Sequence, residues 1–185
     1  MVNKELEEYN LADYICVPSE YVKESFIKYG IKEDKIIKIP YGVDLKEFSL
    51  IKNKKKKDSK FRIISTGSIS IRKGSHYLLE AFNNLNLPNS ELIFIGDIGN
   101  DFNKIIKKYS NKNNVKFINK QNQEKLKYFY NDANLFVLCS IEEGLAMVQA
   151  QAMACGLPVI CTTNTGGSEI IDDGINGYVL SLIHI

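Results

Sequence analysis

The sequence predicts an α/β fold in which a parallel sheet of short strands is covered by helices on both faces. Apolar, β-branched runs of four to seven residues recur along the chain, and segments with helical periodicity lie between most of them. This alternation is typical of β-α-β units and parallel sheets. The runs are almost continuously apolar, which is typical of strands in a sheet buried on both faces.

The individual elements follow from where these patterns begin and end. After a helix-like start, strands are predicted at 14–18, 35–40, 61–67, 91–96, 115–118, 135–139, 158–162 and 175–180. Helices are predicted at 19–29, 76–85, 102–109, 123–133 and 145–154.

One stretch, residues 49–60, interrupts the alternation and divides the chain into a short piece, 1–48, and a longer α/β unit, 61–180. Five of its lysines lie within the six positions 52–57. Like charges at this density repel one another and stay hydrated, so the stretch is expected to be an exposed linker. A basic patch that contacts phosphate or membrane is the alternative. Residues 181–185 are expected to be a non-native tail.

Composition narrows the class of protein. The 185 residues are 44% hydrophobic and 25% charged, which is ordinary for a globular protein. The net charge of +2 gives no reason to expect a nucleic-acid partner. The four cysteines form no C-x-x-C pair, so they are expected to be reduced core residues. Without an apolar run of about 18 residues or a signal peptide, a cytoplasmic location is expected.

A ligand site is expected beyond the carboxyl ends of the strands, where open parallel sheets bind their ligands. The loop after 61–67 places Arg72 and Lys73 at the start of a predicted helix. A helix N-terminus and two cations favour an anion such as a diphosphate. An ordinary solvated turn is the alternative for this loop taken alone. Neither the Walker pattern nor G-x-G-x-x-G is present.

The stretch "SIEEGLAMVQAQAMACGLPVI", residues 140–160, has the most informative pattern. Glu142 and Glu143 precede the predicted helix, where the helix dipole alone favours carboxylates. Gly144 allows a tight turn or a close approach by a ligand. Position 151 lies about 12 Å beyond position 143 along a helix axis. Polar side chains this far apart suit an elongated ligand with an anionic middle, such as a sugar–diphosphate–nucleoside.

This stretch, together with the following "CTTNTGGSEIIDDGINGYVL", resembles the nucleotide-sugar site of retaining GT-B glycosyltransferases of glycosyltransferase family 4. The segments "ADYICVPSEYVKESF", "KIIKIPYGVDLKEF", "GSISIRKGSHYLLEAF" and "DANLFVLCS" occur in that family's order and spacing. The resemblance covers roughly residues 5 to 180. It implies a GT-B fold in which 1–48 ends the acceptor-side domain and 61–180 forms most of the nucleotide-sugar-binding domain.

The resemblance also implies roles for residues in the second half of the chain. In the family's E-x7-E motif, the first carboxylate contacts the donor sugar and the second holds the ribose. These positions are Glu143 and Gln151 here. The backbone N–H groups of Leu145 and Ala146, which follow Gly144, resemble those that touch the distal phosphate and the sugar.

In the first half of the longer unit, the resemblance places the diphosphate contacts on the loop after Gly67. Lys73 matches the family's lysine, whereas Ser68 stands where an arginine is usual, and Arg72 is the expected substitute. Asn119 and Lys120 lie where the family seats the base, mostly through backbone groups.

The implied activity is transfer of a sugar from a nucleotide-diphosphate donor to an acceptor hydroxyl with retention of the anomeric configuration. Arg72 and Lys73 would stabilise the leaving group and Glu143 would orient the sugar; no metal or other cofactor is expected. The acceptor, a glycan, lipid or protein, is left open, and peripheral membrane association is compatible with this family.

Two alternatives remain. The chain alone is a nucleotide-sugar-binding domain without catalytic activity, or it belongs to a relative that releases or epimerises a sugar nucleotide.

Overall fold

The computed structural model describes residues 2–52, 58–109 and 112–181. The helices are α1 (Val2–Leu11), α2 (Glu20–Lys28), α3 (Ser75–Leu85), α4 (Asn103–Tyr109), α5 (Gln123–Asp132) and α6 (Met147–Ala154). The strands are β1 (Ile15–Val17), β2 (Ile36–Lys38), β3 (Phe61–Thr66), β4 (Ser90–Ile95), β5 (Val115–Ile118), β6 (Leu135–Leu138), β7 (Val159–Thr162) and β8 (Gly177–Leu180). Of the helices in these ranges, none has the length and apolar character needed to cross a bilayer.

The strands form two parallel sheets. The smaller sheet pairs β1 with β2, and the larger has the order β5-β4-β3-β6-β7-β8 with every pairing parallel. Successive strands are therefore added outward from β3 to β5. The chain then returns to the other side of β3, where β6, β7 and β8 are added in turn. This architecture confirms the predicted α/β class.

Because β-α-β crossovers are right-handed, the direction in which successive strands are added determines which face of the sheet each helix covers. Helices α3 and α4 share a core with one face of β3 and β4, which includes Leu79, Phe82, Phe94 and Phe102. Helices α5 and α6 share a core with the opposite face, which includes Tyr130, Ala152, Ile64 and Phe136. The larger sheet is thus covered on both faces, as the apolar strands predict.

Helix starts are fixed by local chemistry where a capping residue is present. Ser19 caps α2 by accepting a hydrogen bond from the N–H of Val22, and Asn122 caps α5 by accepting one from the N–H of Lys125. By contrast, α6 begins at Met147, two residues later than predicted, because Ala146 has an extended backbone. The segment before it is held by distant parts of the chain, as described below.

Contacts join the end of the predicted short piece, 1–48, to the larger unit. Phe48, assigned to the short piece, is fully buried in the larger unit's core beside Tyr130. The first linker residues are also anchored, since Asn131 donates to the carbonyl of Ser49 and accepts from the N–H of Ile51. The lysine-rich positions 53–57 and the expected non-native positions 182–185 lie outside the described residues.

A buried ionic cluster lies at the amino end of the larger sheet. Arg62 on β3 donates to Glu91 on β4 and, over 2.6 Å, to Asp58. Lys116 on β5 donates to the second carboxylate oxygen of Glu91. Burial alone would raise the pKa of Glu91, but hydrogen bonds from Lys116 and Arg62 hold it below its ordinary value. Glu91 therefore stays ionised and joins three adjacent strands.

Replacing Glu91 by alanine is expected to lower the free energy of unfolding by about 3 kcal/mol, because it removes the most deeply buried of the carboxylates that pair with Arg62. Urea denaturation measures this loss. The matched control is Glu8→Ala, since Glu8 pairs with Lys4 on the surface, where such a change costs less than about 0.5 kcal/mol. Equal losses in both variants would show that the cluster does not stabilise the sheet.

Candidate functional site

A cavity of about 350 Å³ opens at the carboxyl end of the larger sheet, next to the point where the strand order reverses. Ligands in open α/β sheets bind at such a point. Three of the predicted site residues, Gly67, Ser68 and Lys120, line it. Asn119 precedes Lys120 in the same loop, where its carbonyl accepts a hydrogen bond from Gln121.

The cavity is also lined by residues that the sequence did not predict. They come from the ends of β3 and β4, the loop after β5, and helices α5 and α6: Thr66, Ile95, Gly96, Asp97, Gln121, Leu126 and Val148. Gly96 and Asp97 could have been predicted by the same rule as the other site residues, because they directly follow the carboxyl end of a strand in the same sheet. The loop after β4 lies between the loops after β3 and β5, which carry the predicted residues Ser68 and Lys120.

A second group of predicted residues forms a charged cluster at the same edge of the sheet, in the loops that follow β3 and β6. Lys73 donates to Glu143 Oε2, and Arg72 Nη1 lies 3.6 Å from the same oxygen. Arg72 Nη1 also donates to the carbonyl of Glu142 over 2.9 Å. The structure thus brings together the two cations and the carboxylate that the sequence placed 70 residues apart.

Backbone contacts hold the loops that carry these charges. The N–H of Ile141 donates to the carbonyl of Arg72 over 2.9 Å. The N–H of Glu143 donates to the carbonyl of Asn164 over 2.8 Å, and the Asn164 amide donates to the carbonyl of Ile141. Three loops, following β3, β6 and β7, are therefore fastened to one another at the sheet edge.

Leu145 and Ala146 directly precede α6, and both are buried. Ala146 has an extended backbone, so the predicted backbone contacts of these two residues come from the loop that leads into α6 and not from its first turn. The first N–H groups of α6 carry a partial positive charge.

Gln151 lies in the second turn of α6 and is only 6% exposed. Its Oε1 atom is buried and has no hydrogen-bond partner among the described residues. An unpaired buried acceptor costs about 1–3 kcal/mol, which a donor hydroxyl would recover. Gln151 does not line the cavity itself, although Val148, one turn earlier on α6, does.

Cys139, directly after β6, is a half-buried cysteine near the charged loops. Burial raises the pKa of its thiol to about 11, so the thiol is protonated at neutral pH. All four cysteines are free thiols.

Solved structures of other proteins superpose on this fold. A protein from Anabaena, HepE in complex with UDP and glucose, superposes with a TM-score of 0.79 at 20% identity over 94% of this chain and 50% of its own. Sucrose-phosphate synthase from Thermosynechococcus elongatus superposes with a TM-score of 0.81 at 21% identity over 98% of this chain and 49% of its own. The fold is that of the GT-B glycosyltransferases.

The sequence identifies the family within that class. The model of the family described as "Glycosyl transferases group 1" matches residues 47–181, and the chain belongs to this family. Among curated relatives, a probable sucrose-phosphate synthase of Thermosipho melanesiensis is 30% identical over 95% of this chain. Spore coat protein SA of Bacillus subtilis is 32% identical over 64% of it. The chain spans 41% and 34% of the lengths of these two relatives.

Gly74, which follows Lys73, packs closely against the backbone at the end of β6. Its φ is +64°, and an added Cβ would lie 1.8 Å from the carbonyl oxygen of Cys139. Gly74→Ala is therefore expected to lower the free energy of unfolding by at least about 1–3 kcal/mol, the usual cost of a strained backbone.

Urea denaturation of Gly74→Ala beside Gly42→Ala measures this effect. An added Cβ at Gly42 meets no atom within 4 Å, so that variant controls for the change of residue type. Equal stability of the two variants would contradict the close packing between Gly74 and β6.

Proposed function

We propose that this chain binds a nucleoside-diphosphate sugar and that the protein of which it is a part transfers the sugar to an acceptor hydroxyl with retention, as a hexosyltransferase of glycosyltransferase family 4. The observation that carries the proposal is the cluster of Arg72, Lys73 and Glu143 at the sheet edge onto which the cavity also opens. It combines anion-binding groups with a carboxylate able to accept from sugar hydroxyls.

The base and the diphosphate of the donor are each placed next to the residues whose chemistry suits them. The base takes the cavity that contains Gly67, Ser68 and Lys120, and the diphosphate takes the position beside Arg72 and Lys73. The Lys73 ammonium has three N–H donors, so it can contact a phosphate while remaining paired with Glu143.

The remaining contacts place the sugar and the ribose. Glu143 accepts from the sugar hydroxyls, while the N–H groups of Leu145 and Ala146 face the distal phosphate and the sugar. Gln151 accepts from a ribose hydroxyl through the Oε1 atom that is otherwise unpaired.

In the sugar-transfer step, these residues stabilise the departing nucleoside diphosphate. Positive groups that are already in place where negative charge develops lower the barrier without further reorganisation. Arg72, Lys73 and the start of α6 supply such groups, and we assign no step to a metal. Glu143 orients the sugar and forms no covalent intermediate.

The named relatives indicate which donors to test first. HepE has been solved with UDP-glucose as well as with UDP, and two relatives are described as sucrose-phosphate synthases. A uridine donor is therefore the first choice. The alternative is a domain that binds the donor without transferring it, which is favoured for the isolated chain because the contacts assigned above all belong to the donor side.

Calorimetric titration of the chain with UDP, GDP, ADP and the matching sugar nucleotides tests the proposal. One nucleotide is expected to bind, and Lys73→Ala is expected to weaken its affinity about tenfold or more, since a charge-assisted hydrogen bond contributes about 1.5–3 kcal/mol. Lys4→Ala, which removes a lysine of the exposed pair on α1, is the matched control. Absence of binding by folded wild-type chain would overturn the proposal.

Gln151→Glu tests the ribose contact separately. A carboxylate accepts a stronger hydrogen bond than an amide by about 1 kcal/mol, so the affinity for the nucleotide is expected to rise by less than about tenfold. Titration with the nucleotide and with its 2′-deoxyribose analogue measures the effect. A gain that persists with the deoxy analogue and its 3′-deoxy counterpart would show that Gln151 does not contact the ribose.

A further inference from the structure

The start of α2 is fastened to the loops that carry the candidate site. Ser19 Oγ caps α2 and also donates to the carbonyl oxygen of Gly144 over 2.5 Å. These residues are 125 positions apart in sequence, and Ser19 is completely buried. One hydroxyl group therefore joins the first turn of α2 to the segment that follows Glu143.

The packing around this hydrogen bond is close. An added Cβ on Gly166, in the loop after β7, would lie 2.2 Å from the Gly144 carbonyl oxygen and 3.0 Å from Ser19 Oγ. An added Cβ on Gly144 would lie 3.0 Å from a methyl group of Val22 on α2. The first turn of α2 and the two loops thus meet without room for further side chains.

Glu169 adds a charged contact at the same junction. Its Oε1 accepts from the N–H of Glu20, the first residue of α2, over 2.6 Å. Its Oε2 lies 3.1 Å from Lys38 Nζ, at the end of β2. The Glu169 side chain is only 12% exposed, and both of its oxygens have partners, so the structure directs this carboxylate to α2 and β2.

The charges that face Glu169 are mixed. Lys38 also pairs with Glu20 over 3.2 Å, and Glu20 lies 3.6 Å from Lys23, which in turn pairs with Glu33. The hydrogen bond from Lys38 to Glu169 is the largest cause of the raised pKa of Lys38. A carboxylate is also favoured at a helix N-terminus. The Glu169 carboxylate is therefore held between a cation and the start of a helix.

From these contacts we infer that Glu169 and Ser19 are positioning residues that set the backbone of residues 143–146 for the donor sugar. Glu169 fixes the first turn of α2, and Ser19 in that turn fixes the carbonyl of Gly144. Neither residue has to touch the ligand. The inference rests on the proposed function, because it assigns the loop they hold to the sugar and the distal phosphate.

The inference separates the two ends of the donor. The cavity assigned to the base is lined from β3, β4, α5 and α6 and the loop after β5, none of which carries Ser19 or Glu169. Loosening the junction should therefore weaken contacts with the sugar and distal phosphate and leave the contacts with the base in place.

Calorimetry with UDP-glucose and with UMP tests this separation in the 185-residue chain. Glu169→Ala and Ser19→Ala are expected to lower the affinity for UDP-glucose about tenfold, the effect of losing one charge-assisted or tightly buried hydrogen bond, with UMP unchanged. Glu169→Gln keeps an oxygen that can accept from the N–H of Glu20 and should retain affinity within about threefold of wild type.

Glu33→Ala is the matched control, since it removes a carboxylate that pairs with α2 at a distance from the loops. Unchanged affinity for UDP-glucose in both Glu169→Ala and Ser19→Ala, or an equal loss for UMP, would overturn the inference.

Hydrogen–deuterium exchange in the ligand-free chain tests the junction independently of the donor. Glu169→Ala is expected to speed exchange of the Glu143 amide, whose N–H is hydrogen-bonded to the carbonyl of Asn164, relative to wild type and to Glu33→Ala. If no nucleotide binds but this exchange rises, the proposed function fails while the positioning contact stands. If nucleotides bind and exchange of the Glu143 amide is unchanged, the positioning role is wrong and the proposed function stands.

Discussion

The structure depends on the pairing of β3 with β6, the two strands between which the strand order reverses. Because both strands run the same way, the loops that follow them emerge side by side, and these loops carry Lys73 and Glu143. The hydrogen bond between the N–H of Ile141 and the carbonyl of Arg72 continues the contact beyond the strands. A site made of residues 70 positions apart is thus a direct result of the strand order.

The two ends of the sheet handle their charges differently. At the amino end, Glu91 is 1% exposed and both of its oxygens pair with cations across three strands. A buried carboxylate is tolerated only when paired in this way. At the carboxyl end, Arg72 is largely exposed and the Gln151 Oε1 atom has no partner among the described residues. The amino end is therefore organised for stability, whereas the carboxyl end retains hydrogen-bonding capacity for a ligand.

The sequence predicts the parts of this arrangement that arise from local patterns. Apolar runs predict the strands of the larger sheet, and the rule that ligands bind beyond their carboxyl ends brings Arg72, Lys73 and Glu143 to one edge. The sequence does not predict that α6 begins at Met147, because the preceding segment is held by Ser19 and Asn164, which contact Gly144 and Glu143 from other parts of the chain. Contacts between residues that are distant in sequence leave no periodic signal. The burial of Phe48 in the larger unit has the same kind of cause.

The amide at position 151 illustrates how burial constrains a binding residue. A glutamate there would hold its charge in a position that is 6% exposed, and an unpaired buried charge costs far more than an unpaired buried amide. Glutamine therefore makes the empty site less costly to form, at the expense of a weaker hydrogen bond to the ligand. Since the second effect amounts to only about 1 kcal/mol, a neutral side chain at this position is compatible with a working donor site.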